Sequence, residues 1–507
     1  MFRRMIRIAA PLILTLSLAC QGEPRDFLGG IPNPPPGTNP TGRLAFRVGD
    51  VGADQISDLA VDAAGNVYVT GTFTGSVDFD PGSGLRVLTS LGGADVFVAR
   101  YSASNALVWA VQLGGSGEEA ARALTLDANG DVLIAGWFEG TPDFDGGAAT
   151  VSLTSAGGRD GFVAKLSNAG ALAWARRFGG PNADELIDVA ASGSVVYAGG
   201  FFQGPGEGSP NGTAPVAAPG LGEDIVILSF DGNGAPQGAI ALGGPGEERA
   251  SGVTVAGTAL VVSGGFTDDL DFDPGPGFGT VQPVGVRDGF LVAFTLAGAL
   301  QWIRTVSGTG EVVVTENGLS FGDGTVQLIG TFTGDVDLDS GPGTVSAQSQ
   351  GLEDIFVLRV DPSGSLEDAF TIGSTGSETP LRAAADGSGL TLAGAFTTPL
   401  DMDPGTGLSV LTPFGTGGAT DAFVVRYSPG GQVTWARGFG GLASGAESGT
   451  APLGLGLGAA GQVVIGGRFF GTMDVDPSSA SFALTSLGAA DAFLARFTST
   501  GALATAP

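Results

Sequence analysis

The sequence predicts an all-β chain folded as a single seven-bladed β-propeller of four-stranded antiparallel blades, its ring closed by an N-terminal strand at 44–48 paired with the last blade. Three observations carry that expectation. A Gly-x-Phe step recurs seven times, ending at Phe73, Phe138, Phe202, Phe266, Phe332, Phe396 and Phe469. After each step and a long loop an aspartate opens another apolar run, at Asp95, Asp160, Asp224, Asp288, Asp354, Asp421 and Asp491. The two ends of the repeat are incomplete in complementary ways. Residues 44–49 read as an outer strand with no blade before it, and the last unit stops at Gly501-Ala502-Leu503, where its own outer strand is due.

Composition agrees. The 507 residues include 90 Gly and 29 Pro and are only 14% charged, which suits short strands joined by tight turns. A chain of this length would otherwise be divided into several domains, but a repeat overrides that prior. At the N-terminus Arg3, Arg4 and Arg7 precede an apolar run at 8–19 and then Cys20, the only cysteine. Residues 1–19 read as a signal peptide, because the run is too short to span a bilayer. Cys20 stands where cleavage occurs and resembles the bacterial lipobox cysteine, which implies acylation and an exported lipoprotein of the outer membrane or cell surface. Residues 20–42, with Pro32-Asn33-Pro34-Pro35-Pro36-Gly37, read as a spacer, and 43–507 as the propeller.

Within the second unit, 123–127 alternates, turns at Ala128-Asn129-Gly130 and returns through 131–138; a second hairpin turns at Asn168-Ala169-Gly170 and runs to Phe178. Two hairpins give strands a to d of one blade. The unit is about 66 residues long, above the shortest propeller repeats, with the surplus between b and c. The stretches Val77-Asp78-Phe79-Asp80-Pro81-Gly82, Leu88-Thr89-Ser90-Leu91-Gly92-Gly93-Ala94-Asp95-Val96-Phe97-Val98-Ala99-Arg100-Tyr101 and Leu107-Val108-Trp109-Ala110 resemble bacterial SBBP-type repeats. The likeness covers 44–503 and implies a propeller in an exported or surface protein, with no reaction common to the family. Blade three departs most, with Gly204-Pro205-Gly206-Glu207-Gly208 in place of the acidic pair found elsewhere.

Fifty-one acids against 22 bases give a net charge of −29, which disfavours nucleic acid and anionic membrane surfaces and leaves cations and basic ligands as partners. Histidine is absent, so Ser-His-Asp and Cys-His systems and the usual zinc and copper ligand sets are excluded. Polysaccharide lyases and quinoproteins also use propellers, but the residue inventory, with one lysine (Lys165) and four tyrosines, argues against both. The expectation is therefore a non-enzymatic, monomeric, membrane-tethered binding or scaffold propeller with an acidic loop face for a cation, glycan or protein partner, touching the membrane only through its lipid.

Two acidic clusters map to one face. The first precedes strand a at Asp54, Glu119, Glu185, Glu248, Glu311, Glu378 and Glu447, read either as acceptors for backbone N–H groups in Gly-rich loops or as a ring capturing a cation or basic peptide at the channel mouth. The second is an Asp-x-Asp step at the end of strand b in six blades: Asp78 and Asp80, Asp143 and Asp145, Asp271 and Asp273, Asp337 and Asp339, Asp401 and Asp403, Asp474 and Asp476. Residues two apart on a strand share a face, so these carboxylates could hold calcium, or they form ordinary turns. The strand-c aspartates read as loop caps. Trp109, Trp174, Trp302 and Trp435 read as packing between blades. Trp137, by alternation on the face opposite Phe138, is the candidate for sugar contact. Two further readings stay open: a carboxylate-dependent glycan-cleaving enzyme, which would break the sevenfold likeness around blade three, and a structural surface protein stabilised by calcium.

Overall fold

The computed structural model describes residues 43–506 except 205–221, 274, 276, 278, 323, 340, 342, 415–419, 442–448 and 479–480. The signal peptide, Cys20, the spacer, Glu447 and most of the altered blade-three loop lie outside the described residues. Seven antiparallel blades follow one another. In blade one strand a (Gln55–Val61) pairs with b (Val67–Phe73), b with c (Asp95–Tyr101) and c with d (Leu107–Leu113). Strands b and c lie between neighbouring blades and read as continuous apolar runs; Val132–Phe138 and Asp160–Leu166 are buried throughout. All seven Gly-x-Phe phenylalanines are buried.

The ring closes as the termini predict. Strand d of blade seven is Ala45–Val48, which pairs antiparallel with Asp491–Phe497, Arg47 opposite Phe493. In blades one, four, five, six and seven the surplus between b and c includes a short hairpin, as where Ser76–Asp78 pairs with Val87–Thr89.

Each tryptophan on strand d ties its blade to the next. The indole N–H of Trp109, Trp174, Trp302 and Trp435 donates to the carbonyl oxygen of Asn168, Gly232, Pro362 and Ser499, in the c–d turn of the following blade. The ring lies flat on a glycine there. Gly170, Gly234, Gly364 and Gly501 have φ of +83°, +75°, +81° and +75°, and a Cβ on Gly501 would stand 2.7 Å from the Trp435 ring. Both the conformation and the space demand glycine. Gly234→Ala is expected to destabilise the protein by about 2 kcal/mol, measured by denaturant unfolding. Gly130→Ala, at φ +77° with nothing within 4 Å, should lose only the backbone part of that cost.

Candidate functional site

The Asp-x-Asp carboxylates close their own hairpins. Asp78 Oδ1 accepts the backbone N–H of Asp80 (3.1 Å) and of Arg86 (2.8 Å). Asp143, Asp271, Asp337, Asp401 and Asp474 repeat this with the residues two and eight positions on. Each second aspartate accepts the N–H two residues further, as Asp80 does from Gly82 at 2.8 Å. In blade seven Arg43 also pairs with Asp476 at 2.7 Å. One oxygen of each of these carboxylates is thus committed to a turn, and among the described residues no group of three or more acids is assembled for a metal. Asp78→Asn, which keeps the Oδ1 acceptor, should change stability little, whereas Asp78→Ala should cost about 1 kcal/mol, read from thermal unfolding.

Among the described residues the inner acids follow the reading as backbone acceptors and are not all in one register. Register is set by a backbone bond to the residue before each strand-c aspartate: Asp54 N–H to Ala490 O (2.8 Å), Glu119 to Ala94 (2.9 Å), Asp184 to Arg159 (2.9 Å), Val312 to Arg287 (2.9 Å), Glu378 to Glu353 (3.2 Å) and Thr450 to Thr420 (3.0 Å). Glu248 occupies the same place, opposite Phe266. The equivalent of Glu119 in blade three is therefore Asp184, which the sequence reading missed. Glu185 lies one residue past the position and Glu311 one before it. The five acids in register are buried, not arrayed around an open mouth. Each accepts an N–H four residues back, Asp54 from Asp50, Glu119 from Gly115, Asp184 from Gly180, Glu248 from Gly244 and Glu378 from Ser374. Burial pushes Asp54 up to about 7, Glu119 to about 8, Asp184 to about 6 and Glu248 to about 7, and raises Glu378. The strand-c aspartates are loop caps; Asp95 takes the N–H of Leu91 at 3.1 Å.

Displaced from that register, Glu185 joins a different assembly at the channel mouth. Its Oε2 lies 3.0 Å from Arg122 Nη2 and its Oε1 2.8 Å from Arg159 Nη1. The Arg159 guanidinium lies over Trp137, 4.3 Å from the ring centroid. In the next blade the Arg249 guanidinium lies 4.2 Å from the Phe201 centroid and pairs with Glu223. Trp137 is only 8% exposed and its indole N–H, buried, has no hydrogen-bond partner; Arg122 Nε–H has none either. So Trp137 is not the open sugar platform its alternation suggested. Arg159 covers it.

Blade five reaches this cluster across the channel. Its strand a, Val312–Gly322, bulges between Val314 and Leu319, with Asn317 at φ +53°. Asn317 Nδ2 donates to the Arg122 carbonyl at 3.0 Å, and the Glu316 carboxylate lies 3.9 Å from Arg122. From blade six Arg382 donates to the carbonyls of Ser57 (2.7 Å) and Glu316 (3.2 Å). Below it burial pushes Asp58 up to about 6 and Asp188 to about 7, and these acids accept the N–H of Leu124 and Val253 in the following blade.

No protein-family model matches the chain. The regulatory protein FlaEY of Caulobacter vibrioides (strain ATCC 19089 / CIP 103742 / CB 15) is 26% identical over 467 residues, 87% of this chain and 46% of that protein. The chain thus spans about half the length of the curated relative it matches. Among solved structures, a polysaccharide lyase of family PL25, an ulvan lyase, matches both free and bound to -[GlcA(1-4)Rha3S]-, at 12% and 11% identity over 88% of this chain and 97% of its own, with a TM-score of 0.36. The WD40 domain of Neurospora crassa Pan2 is 13% identical over 57% of this chain and 92% of its own, with a TM-score of 0.20.

The expectation of a non-enzyme is corrected by the lyase match. The solved structures the chain resembles include that of a polysaccharide lyase. At that TM-score the match transfers neither an activity nor a residue to this chain.

Proposed function

We propose that this propeller binds a glycan at the channel mouth over blades two to four, at a bacterial cell envelope to which acylated Cys20 tethers it. The observation that carries this reading is where the sevenfold likeness breaks. The middle residue of the Gly-x-Phe step is Thr72, Trp137, Phe201, Gly265, Thr331, Ala395 and Arg468 around the ring. Only blades two and three place an aromatic there, and each ring carries a guanidinium supplied by its own or the following blade.

The chemistry suits a sugar chain. Hydroxyl groups both donate and accept, and the mouth presents both kinds of partner: the guanidinium groups of Arg122, Arg159 and Arg249 beside the exposed carboxylates of Glu139 and Glu316. The flat faces of Trp137 and Phe201 match the apolar faces of sugar rings once the guanidinium moves aside.

The test is a glycan array with the mature protein, followed by titration of any hit. Arg159→Ala and Arg249→Ala should each weaken binding about tenfold or more. Arg287→Ala, at the next blade joint where no aromatic stands, should leave it unchanged. Equal binding by all three variants would remove the mouth as the locus, and analysis of the bound glycan for shortened products reads cleavage in the same experiment.

A further inference from the structure

Five of the seven blade joints hold two buried acids: the strand-c aspartate of one blade and the acid that begins strand a of the next. They are Asp491 with Asp54, Asp95 with Glu119, Asp160 with Asp184, Asp224 with Glu248 and Asp354 with Glu378. The two carboxyls share one small space. A Cβ at Gly179 would lie 2.8 Å from Asp184 Oδ2 and 3.1 Å from Asp160 Oδ1. Two joints place a guanidinium on the aspartate, Arg177 on Asp160 and Arg47 on Asp491.

The joint between blades one and two has no such cation among its described neighbours. Asp95 is fully buried and Glu119 is 2% exposed. Asp95 Oδ2 accepts the Leu91 N–H and the Gln112 side-chain amide, and Glu119 Oε2 accepts the Gly115 N–H. The other oxygen of each, Asp95 Oδ1 and Glu119 Oε1, is buried with no hydrogen-bond partner. The remaining charged groups facing the pair are Glu118 and Glu139, both acids. Two adjacent buried carboxylates with an unpartnered oxygen apiece cannot both stay ionised, because desolvation and like charge oppose it together.

We infer that Asp95 and Glu119 hold one proton between them at neutral pH, Glu119 as the carboxylic acid donating from Oε1 to Asp95 Oδ1, and that this proton locks blade one to blade two. A single proton satisfies both orphaned oxygens and removes one of the two charges. A metal ion would need six or more oxygen ligands and the room to seat them. The lock adjoins the proposed binding mouth, since Glu139, whose backbone N–H bonds the Glu118 carbonyl, also lies 3.7 Å from Arg159. Its sign is fixed. The proton is held with an affinity near pH 8 in the fold against 4.5 for a free glutamate, so the stabilisation is complete below about pH 4.5 and is lost as pH rises through about 8. The ring loosens in alkali at this joint.

Infrared spectroscopy of the full chain at pH 7 should show protonated-carboxyl absorption, of which a distinct component is lost in Glu119→Gln and, for the wild type, on titration past pH 9. The wild-type Tm should fall by about 5 °C between pH 6 and pH 9. Glu119→Gln, whose amide N–H can take the place of the acid proton, should reduce that dependence and should melt no lower than the wild type at pH 9. Absence of that absorption in wild-type protein at pH 7, which needs no variant to fold, overturns the inference. So does an unchanged pH slope in Glu119→Gln, or a stability at pH 9 that follows added calcium or sodium at constant ionic strength, which would make the lock a metal cation.

Discussion

The ring depends on one short strand. A circular array of blades leaves two open edges unless its ends meet, and an open edge exposes a row of unpaired backbone donors and acceptors. Ala45–Val48 closes that gap by pairing along Asp491–Phe497, and 43–44 bonds onward to 503–505. Charge fastens the seam on both sides. Arg47 lies 2.6 Å from Asp491, and the buried Arg496 donates across into blade one, to Asn105 Oδ1 and the carbonyls of Gly65 and Ser102. Burial pulls the Arg496 guanidinium down to about 10 against the opposing charge of Asp62, which is the cost of using it as a three-pronged donor.

Given closure, the blades are held to one another by polar side chains as much as by apolar packing. The joints draw on a small set of directional contacts: an indole N–H into the next turn at four of them, an acid folded back on a Gly-rich corner at five, and strand-c aspartates capping their loops. These contacts make the polar groups of the joints internal to the ring, which explains how a chain of net charge −29 buries so many acids. Some are offset by guanidinium groups, as at Asp160 and Asp491, and the others are driven toward their neutral form. A buried carboxyl either finds a cation or keeps its proton.

The architecture was legible because propeller blades repeat and because landmark residues are fixed by sterics. Gly-x-Phe marks where a backbone must approach closely and an aromatic must fill the space beyond, and Trp on strand d marks the blade contact. The site was less legible, for two physical reasons. Acidic residues in the d-to-a corner were aligned by type, whereas the structure aligns them by backbone register. Glu185 and Glu311 drifted out of the set by one residue, and Asp184 was passed over. The b–c hairpin also gave the Asp-x-Asp step a turn to close, a role that spacing alone does not separate from calcium binding. The blade-five bulge did leave a trace in the sequence, since Thr315-Glu316-Asn317-Gly318 interrupts an apolar alternation. Its destination, Arg122 on the far side of the channel, depends on ring curvature and not on any local signal.

That bulge shows how a near-symmetric repeat acquires a unique locus. Six blades keep strand a short enough to leave the axis to their neighbours, while Val312–Gly322 carries extra residues inward and meets blades two and six. Arg122 is then held from two directions, by Glu185 of the adjacent blade and by the bulge opposite, so its guanidinium is fixed at the mouth beside Arg159 and Trp137. A flexible arginine would lose several rotors on meeting a ligand, whereas one already held has given up that freedom on folding. The departure from symmetry at blade five therefore acts at blade two, and the channel is the medium that connects them.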